Sequence, residues 1–355
     1  YLKEALNEGS ITMAQIDTAV RRVLEAKYKL GLFSDPYRYC NVKRGKTDMY
    51  NSDSRKAARD MAAETFVLLK NDNNILPLKR QGTIALVGPL ADTRNNIPGT
   101  WCFAYKPELY STIKESMQRY LGNSAKLVYA QGSNIYADST MQANASFGKT
   151  IKWGDSKKML DEAVEAAKSS DVVVACLGEL AEMSGESSTR TNLNLPDVQK
   201  NLLKALLATG KPVVLLNFSG RPTILTWESQ NVPAIMNVWF GGSETGDALC
   251  DVLFGDKVST GKLVNTLPRS MGQIPIFYNH LSGSRDIPDG SCSFRKYQSN
   301  YIDETTGPLY PFGYGLSYTT YKYSDVSLSA PSMSKEGKVT ATVNVTNTGD
   351  RDGDE

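Results

Sequence analysis

The chain is 355 residues long, with 41% hydrophobic residues and a formal net charge of +2. Length and apolar content suffice for two or three domains with sizeable cores. Acids and bases are interspersed without a basic stripe, which argues against nucleic acid as a partner, and no apolar run approaches the roughly 20 residues that span a bilayer.

The sequence opens on Tyr1 inside a helical pattern, without a signal peptide. It stops at Glu355 inside an alternation of Val and Thr. The expectation is a piece of a longer protein, lacking sequence at both ends. Five cysteines (Cys40, Cys102, Cys176, Cys250, Cys292) lie at wide spacings with no CxxC, so neither a zinc site nor a full disulfide framework is suggested. Cys176 and Cys250 fall in apolar runs, which predicts core packing.

Residues 2–8 read as a helix end with Gly9 as a stop. Thr12-x-x-Gln15 is a capping-box pattern. It precedes Ile16, Ala19, Val20, Val23 and Leu24 at helical spacing, and Gly31 terminates that helix. Residues 34–53 are polar and read as a linker. KAARDMAAETFVLLKN (56–71) reads as a helix, and NDNNILPL turns the chain.

Buried-strand runs then alternate with helical sequence. TIALVGP (83–89), KLVYAQG (126–132), DVVVACLG (171–178), PVVLLNF (212–218) and PAIMNVWF (233–240) are the strands, with KLVNTLP (262–268) as a final segment. Helices fall around 111–120, 156–169, 197–209, 222–230 and 243–254. Near-continuous Val/Ile/Leu runs mark strands covered on both faces. The fold class is α/β, a three-layer α/β sandwich with a mostly parallel sheet. Residues 283–317 are rich in Gly, Ser, Asp, Tyr and Pro and read as a surface connection. From Tyr318 the pattern alternates, with Val339, Ala341, Val343 and Val345 on one face, as at the start of a β-sandwich.

The stretch with most chemical content is Leu177 to Pro196, LGELAEMSGESSTRTNLNLP. Charged side chains gathered where a buried strand stops are where α/β proteins place chemistry. Glu186 is the candidate general acid/base, in a loop of small residues and near Glu179 and Glu182 in sequence. Neighbouring carboxylates and a dry site can raise the pKa of one acid among three. Spacing alone equally fits a solvated acidic loop. A nucleophilic serine is disfavoured, because G-x-S-x-G is absent and the sole histidine, His280, lies far along the chain. VGPLAD (87–92) follows a strand but lacks the G-x-G-x-x-G spacing of a pyrophosphate site. GGSETG (241–246) fits a tight turn with Ser243 as a helix cap. Trp101, in the loop after the first parallel strand, is placed to share a crevice with Glu186. It reads either as a platform for a sugar ring or as ordinary loop packing.

Several motifs together resemble the second domain of glycoside hydrolase family 3. They are LVGPLAD, VVVACLGE, SGESSTRTNLNLP, KPVVLLNFSGRP, WFGGSETGDALCDVLFGD with TGKL, and GPLYPFGYGLSYTTYKYSD. ETFVLLKND, GTW and YPFGYGLSYT look most like the bacterial β-glucosidase branch, with β-xylosidases next. The resemblance implies that LKEALNEGSITMAQIDTAVRRVLEAKYKLGLF is the end of a (β/α)8-type barrel. Residues 1–33 are then barrel helices, 34–53 a linker and 54–282 the sandwich domain. Residues 283–317 are a connection, and 318–355 the start of a fibronectin type III-like domain.

By the same resemblance, Glu186 matches the acid/base of a retaining, exo-acting β-glycosidase, and the aspartate nucleophile belongs to the barrel upstream. Trp101, Arg190 and Glu179 match substrate-side positions, Glu179 equally a structural one. The implied substrates are β-linked glucosides or oligosaccharides, with no metal and no cofactor. The implied partner is the barrel domain, without which the chain is expected to be inactive. Periplasmic or secreted localisation is the family expectation. A β-xylosidase, a non-catalytic carbohydrate-binding module and a nucleotide-binding α/β domain remain as alternatives.

Overall fold

The computed structural model describes residues 1–102, 106–145, 150–281, 283, 285–287 and 290–355. These form two compact units, Tyr1–Lys56 and Ala57–Glu355. Three positions of the expected connection (284, 288 and 289) and part of the segment after Trp101 (103–105) lie outside the described residues.

The first unit holds α1 (Leu2–Asn7), α2 (Met13–Lys29) and α3 (Arg44–Thr47), none with a buried residue. The capping box forms as expected. Gln15 N donates to Thr12 Oγ1 (3.3 Å) and Thr12 N donates to Gln15 Oε1 (2.8 Å). Two donors orphaned at the helix start are thereby satisfied. The expected linker is partly ordered, carrying α3 and the first residues of the next helix.

That helix, α4 (Ser52–Thr65), stops where the sequence turns from alanine-rich to FVLL. Residues Val67–Asn71 are not the helix that the sequence suggested but a strand, β1, whose first three residues are fully buried. The aliphatic run favours an extended chain covered on both faces over an amphipathic helix.

The remaining order is β2 (Thr83–Val87), α5 (Ile113–Leu121), β3 (Lys126–Ala130), α6 (Ser139–Asn144), α7 (Ser156–Lys168) and β4 (Val172–Gly178). There follow α8 (Asp197–Leu207), β5 (Val213–Phe218), α9 (Thr226–Asn231), β6 (Ala234–Asn237) and α10 (Thr245–Leu253). The six strands are ordered β1-β6-β5-β4-β2-β3. All pairings are parallel except β1 with β6.

The sheet divides the core in two. Along β4, Val174 and Cys176 join Met117 of α5 and Leu249 of α10 on one face. Val173, Ala175 and Leu177 join Ala163 of α7 and Leu202 of α8 on the other. The expected three layers are therefore present. Each fully buried Val, Leu or Ile contributes about 1.5–3 kcal/mol before its entropy cost.

Two expectations need correction. KLVNTLP (262–268) is no strand of the sheet. It runs alongside residues 309–316, with Leu263 N bonded to Tyr314 O (2.8 Å) and a bridge between Leu267 and Tyr310. The same stretch closes the β1 edge, where Leu316 N donates to Leu68 O (2.8 Å) and Tyr314 Oη to Leu69 O (3.1 Å). In the GGSETG turn the N-cap position falls on Glu244 rather than Ser243, without a side-chain cap hydrogen bond, and Thr245 Oγ1 donates back to Gly242 O (2.7 Å).

The C-terminal alternation forms antiparallel pairs, but not one continuous strand. Here β7 (Tyr321–Tyr323) pairs with β10 (Val345–Asn347), and β8 (Ser327–Leu328) with β9 (Ala341–Thr342). Val343 and Val345 remain exposed.

From β2 the chain crosses to β3 on one side and afterwards to β4 on the other. The sheet thus has its topological switch point between β2 and β4. Side chains beyond the carboxyl ends of such strands are where open α/β sheets bind ligands.

Candidate functional site

The loops leaving β2 and β4 flank this switch point, and they carry Trp101 and Glu186 respectively. Strand β4 ends at Gly178 with φ +136°, where a Cβ would stand 2.0 Å from Phe218 O on β5. Only glycine lets the chain turn this close to its neighbour. Gln199 of α8 clamps the strand end. Its Oε1 accepts from Gly178 N (2.8 Å) and its Nε2 donates to Gly178 O (3.0 Å).

Two residues from the β2 loop stitch it to the β4 loop. Asn96 Oδ1 accepts from Ala181 N (2.6 Å). The Thr100 hydroxyl is shared between Ala181 O and Ser184 O, the latter at 2.9 Å. A Cβ on Gly185 (φ +97°) would lie 2.8 Å from Thr100 Cγ2. The residues next in sequence to this contact pair are Trp101 and Glu186. Thr100 thus ties the two loops together beside Trp101 and Glu186. Trp101 is 58% exposed.

The three acids of the β4 loop occupy different environments. Glu179 is 1% exposed. Its Oε1 accepts from Arg190 Nη1 (2.5 Å) and lies 3.3 Å from Arg221 Nε, which is misaligned for a hydrogen bond. Its Oε2 accepts from Gly220 N (3.2 Å). Arg190 also donates to Asn194 O (3.0 Å), so its guanidinium is committed within the loop. A carboxylate removed from water is tolerated when it is paired and hydrogen-bonded in this way. Glu182 is half-buried. Beside it Tyr136 has its phenol pKa raised, by burial first and by Glu182 and Glu179 next, with Arg190 opposing.

Glu186 differs from both. It is exposed, between Gly185 and Ser187 (φ +60°), and its carboxylate has no hydrogen-bond or ion-pair partner among the described residues. Behind the loop lies a cleft of about 650 Å³, lined by Ser184, Arg190, Arg221, Thr266, Met271 and Ile274 among others. Gly185 and Ser187 border it and Glu186 does not.

Sequence reasoning missed Arg221. It follows the buried run of β5 in NFSGRP, one strand over from β4, and a charged residue just past a buried strand was the available signal. Its Nη2 donates to Met183 O and to Ser188 O, the latter at 2.6 Å. The VGPLAD turn serves packing. A Cβ at Gly88 would collide with the Cys176 backbone, and Asp92 pairs with Lys114 (2.8 Å) and accepts from Thr112 Oγ1 (3.0 Å). His280 is exposed and tilts against Phe277, 6.1 Å between ring centroids.

Comparisons with known proteins agree with this architecture. Residues 66–318 match the model of the glycosyl hydrolase family 3 C-terminal domain. A periplasmic β-glucosidase of Salmonella typhimurium is 47% identical over 99% of this chain and 47% of its own length. A β-xylosidase of Formosa agariphila is 36% identical over 100% of this chain and 46% of its own. Among solved structures, a Listeria innocua β-glucosidase in complex with isofagomine superposes with a TM-score of 0.81 at 32% identity. That match covers 98% of this chain and 45% of that one. The chain thus spans about half the length of the curated relatives it matches. With the family model matched over most of its length, the chain belongs to glycoside hydrolase family 3.

Proposed function

We propose that this chain supplies the general acid/base, Glu186, to a retaining, exo-acting β-glucosidase. The observation that carries the reading is the contrast between Glu179 and Glu186. One carboxylate is buried and fully engaged; the other stands exposed and unpartnered on a loop beside the switch point. A proton donor must be free to reach a leaving group. In the proposed reaction an aspartate outside this chain attacks the anomeric carbon while protonated Glu186 donates to the departing oxygen. Glu186 then takes a proton from water as the glycosyl-enzyme is hydrolysed. The retaining mechanism requires the two carboxyls about 5–5.5 Å apart, so a barrel domain must hold the aspartate against this loop.

On this reading Trp101 offers a ring face to the sugar, and the Glu179–Arg190 pair holds the loop. The barrel-end helices (1–33), the linker (34–53), the sandwich domain (54–282), the connection (283–317) and the start of a fibronectin type III-like domain (318–355) follow from the same reading, as does export to the periplasm. The β-xylosidase relative supports a second reading, hydrolysis of terminal xylosides. The test compares aryl β-glucoside and β-xyloside turnover by the 355-residue chain and by the chain joined to its barrel. Turnover by the longer protein only, lost in Glu186→Gln and rescued by azide in Glu186→Ala, is expected. Turnover by the 355-residue chain itself would refute the division of labour, and full activity of Glu186→Gln would refute the acid/base assignment.

A further inference from the structure

The segment around Glu186 has little structure of its own. Residues 184–189 belong to no helix or strand, and the one internal backbone bond across the Glu186 turn, Ser188 N to Gly185 O, is 3.4 Å long. A carboxyl on such a segment would wander unless something outside fixed it. Proton transfer tolerates little wandering, since a misplacement of about 1 Å can cost roughly 100-fold in rate.

Arg221 is placed to fix it. A single terminal nitrogen, Nη2, donates one N–H to Met183 O and the other to Ser188 O. These carbonyls lie three residues before and two residues after Glu186. The guanidinium is planar, so its two N–H vectors set the distance and plane of the two ends of the arc. Arg221 is itself held from below by Glu179, 3.3 Å from its Nε. It can come so close because the residue before it is Gly220, where a Cβ would stand 2.1 Å from Ser184 Oγ. With its side chain 21% exposed, the contact is shielded from competing water. Arg190 also spans the loop, from Glu179 before the arc to Asn194 O after it, but donates to none of the carbonyls within the arc.

We propose that Arg221 is a positioning residue for Glu186, bracketing it through the carbonyls of Met183 and Ser188 so that the carboxyl meets the leaving oxygen. This rests on the acid/base reading of Glu186, and the experiment separates the two. In the enzyme carrying this chain together with its barrel, Arg221→Gln and Arg221→Lys are compared with Glu186→Gln on two substrates. One is a phenyl β-glucoside, which needs protonation to leave; the other is a dinitrophenyl β-glucoside, which does not.

Arg221→Gln is expected to lower kcat/KM, which reports the glycosylation step alone, roughly 10- to 100-fold on the phenyl substrate, with little change in kcat/KM on the dinitrophenyl substrate. Arg221→Lys keeps the charge but not the fork and is expected to recover only part of the rate. Hydrogen exchange on the 355-residue chain is expected to quicken at amides 184–189 of either variant while β4 and β5 hold. Equal losses of kcat/KM on both substrates, or no loss on either, would overturn the positioning role, as would unchanged exchange in the loop. If Glu186→Gln retains phenyl glucoside turnover, the acid/base reading fails first. If Glu186→Gln is inactive and Arg221→Gln is normal, only the positioning role fails.

Discussion

Glu179 and Arg190, eleven positions apart, meet over 2.5 Å and so join the start of the β4 loop to its far side. Glu179 also neutralises Arg221. Replacing it by Gln leaves two poorly solvated guanidiniums facing an amide. Breaking one partner of a buried pair costs about 3–5 kcal/mol, and the partial exposure of both arginines reduces this to roughly 2–3 kcal/mol. Glu179→Gln should lower the denaturant midpoint accordingly, with the m-value unchanged.

Glu228 gives a pH signature. It is fully buried on α9, with Lys200 Nζ 3.6 Å away, beyond hydrogen-bond reach, and no hydrogen bond to either oxygen. Burial raises its pKa above the ordinary value of 4.5, with Lys200 opposing. The folded state therefore binds this proton more tightly than the unfolded state. Stability is lost as pH rises from about 4.5 through the folded pKa. Glu228→Gln removes the penalty and should raise Tm by about 2–4 °C at pH 7, equivalent to roughly 1 kcal/mol. The gain should fade below pH 4.5. A gain that persists in acid would point to packing rather than charge.

The cysteines sort by environment. Cys40 and Cys292 are exposed, Cys102 is intermediate, and Cys176 and Cys250 are buried, with all five free. Burial pushes both core thiols far up, which suppresses the reactive thiolate. A thiol reagent should label Cys40 and Cys292 promptly, Cys102 more slowly, and the core pair only on unfolding. Mass spectrometry of labelled peptides reads the order.

Trp101 tests the sugar-facing side of the proposal. Its ring is largely exposed, and Thr100, its neighbour, is bonded to the β4 loop. Trp101→Ala should raise KM for glucosides several-fold, about 1 kcal/mol of ring contact, while leaving Tm nearly unchanged. Thr100→Val should instead loosen both loops and lower kcat.

The layers and most strand positions were legible because buried parallel strands write themselves as runs of Val, Leu and Ile. The run 67–71 misled because it follows an alanine-rich helix without a glycine or proline between them. KLVNTLP misled for the opposite reason, a strand-like composition whose partner, residues 309–316, is not a strand. In the site, Glu186 and Trp101 were visible as a charged loop and an aromatic at adjacent strand ends. What separated Glu186 from Glu179 was pairing across the sheet, and no local pattern encodes that Arg190 and Gly220 both turn toward Glu179. Arg221 was invisible as a partner for the same reason, since 33 residues separate it from Ser188.

The closure of the β1 edge by residues 309–316 has a practical consequence. An unpaired sheet edge offers its carbonyls and amides to any passing chain and invites self-association. Here Leu68 and Leu69 are already occupied by Leu316 and Tyr314. A piece of this protein cut before Tyr310 would retain the whole six-stranded sheet yet uncover that edge, and should precipitate or form oligomers. The smallest well-behaved piece must therefore run through Leu316, in keeping with a family match that extends to residue 318.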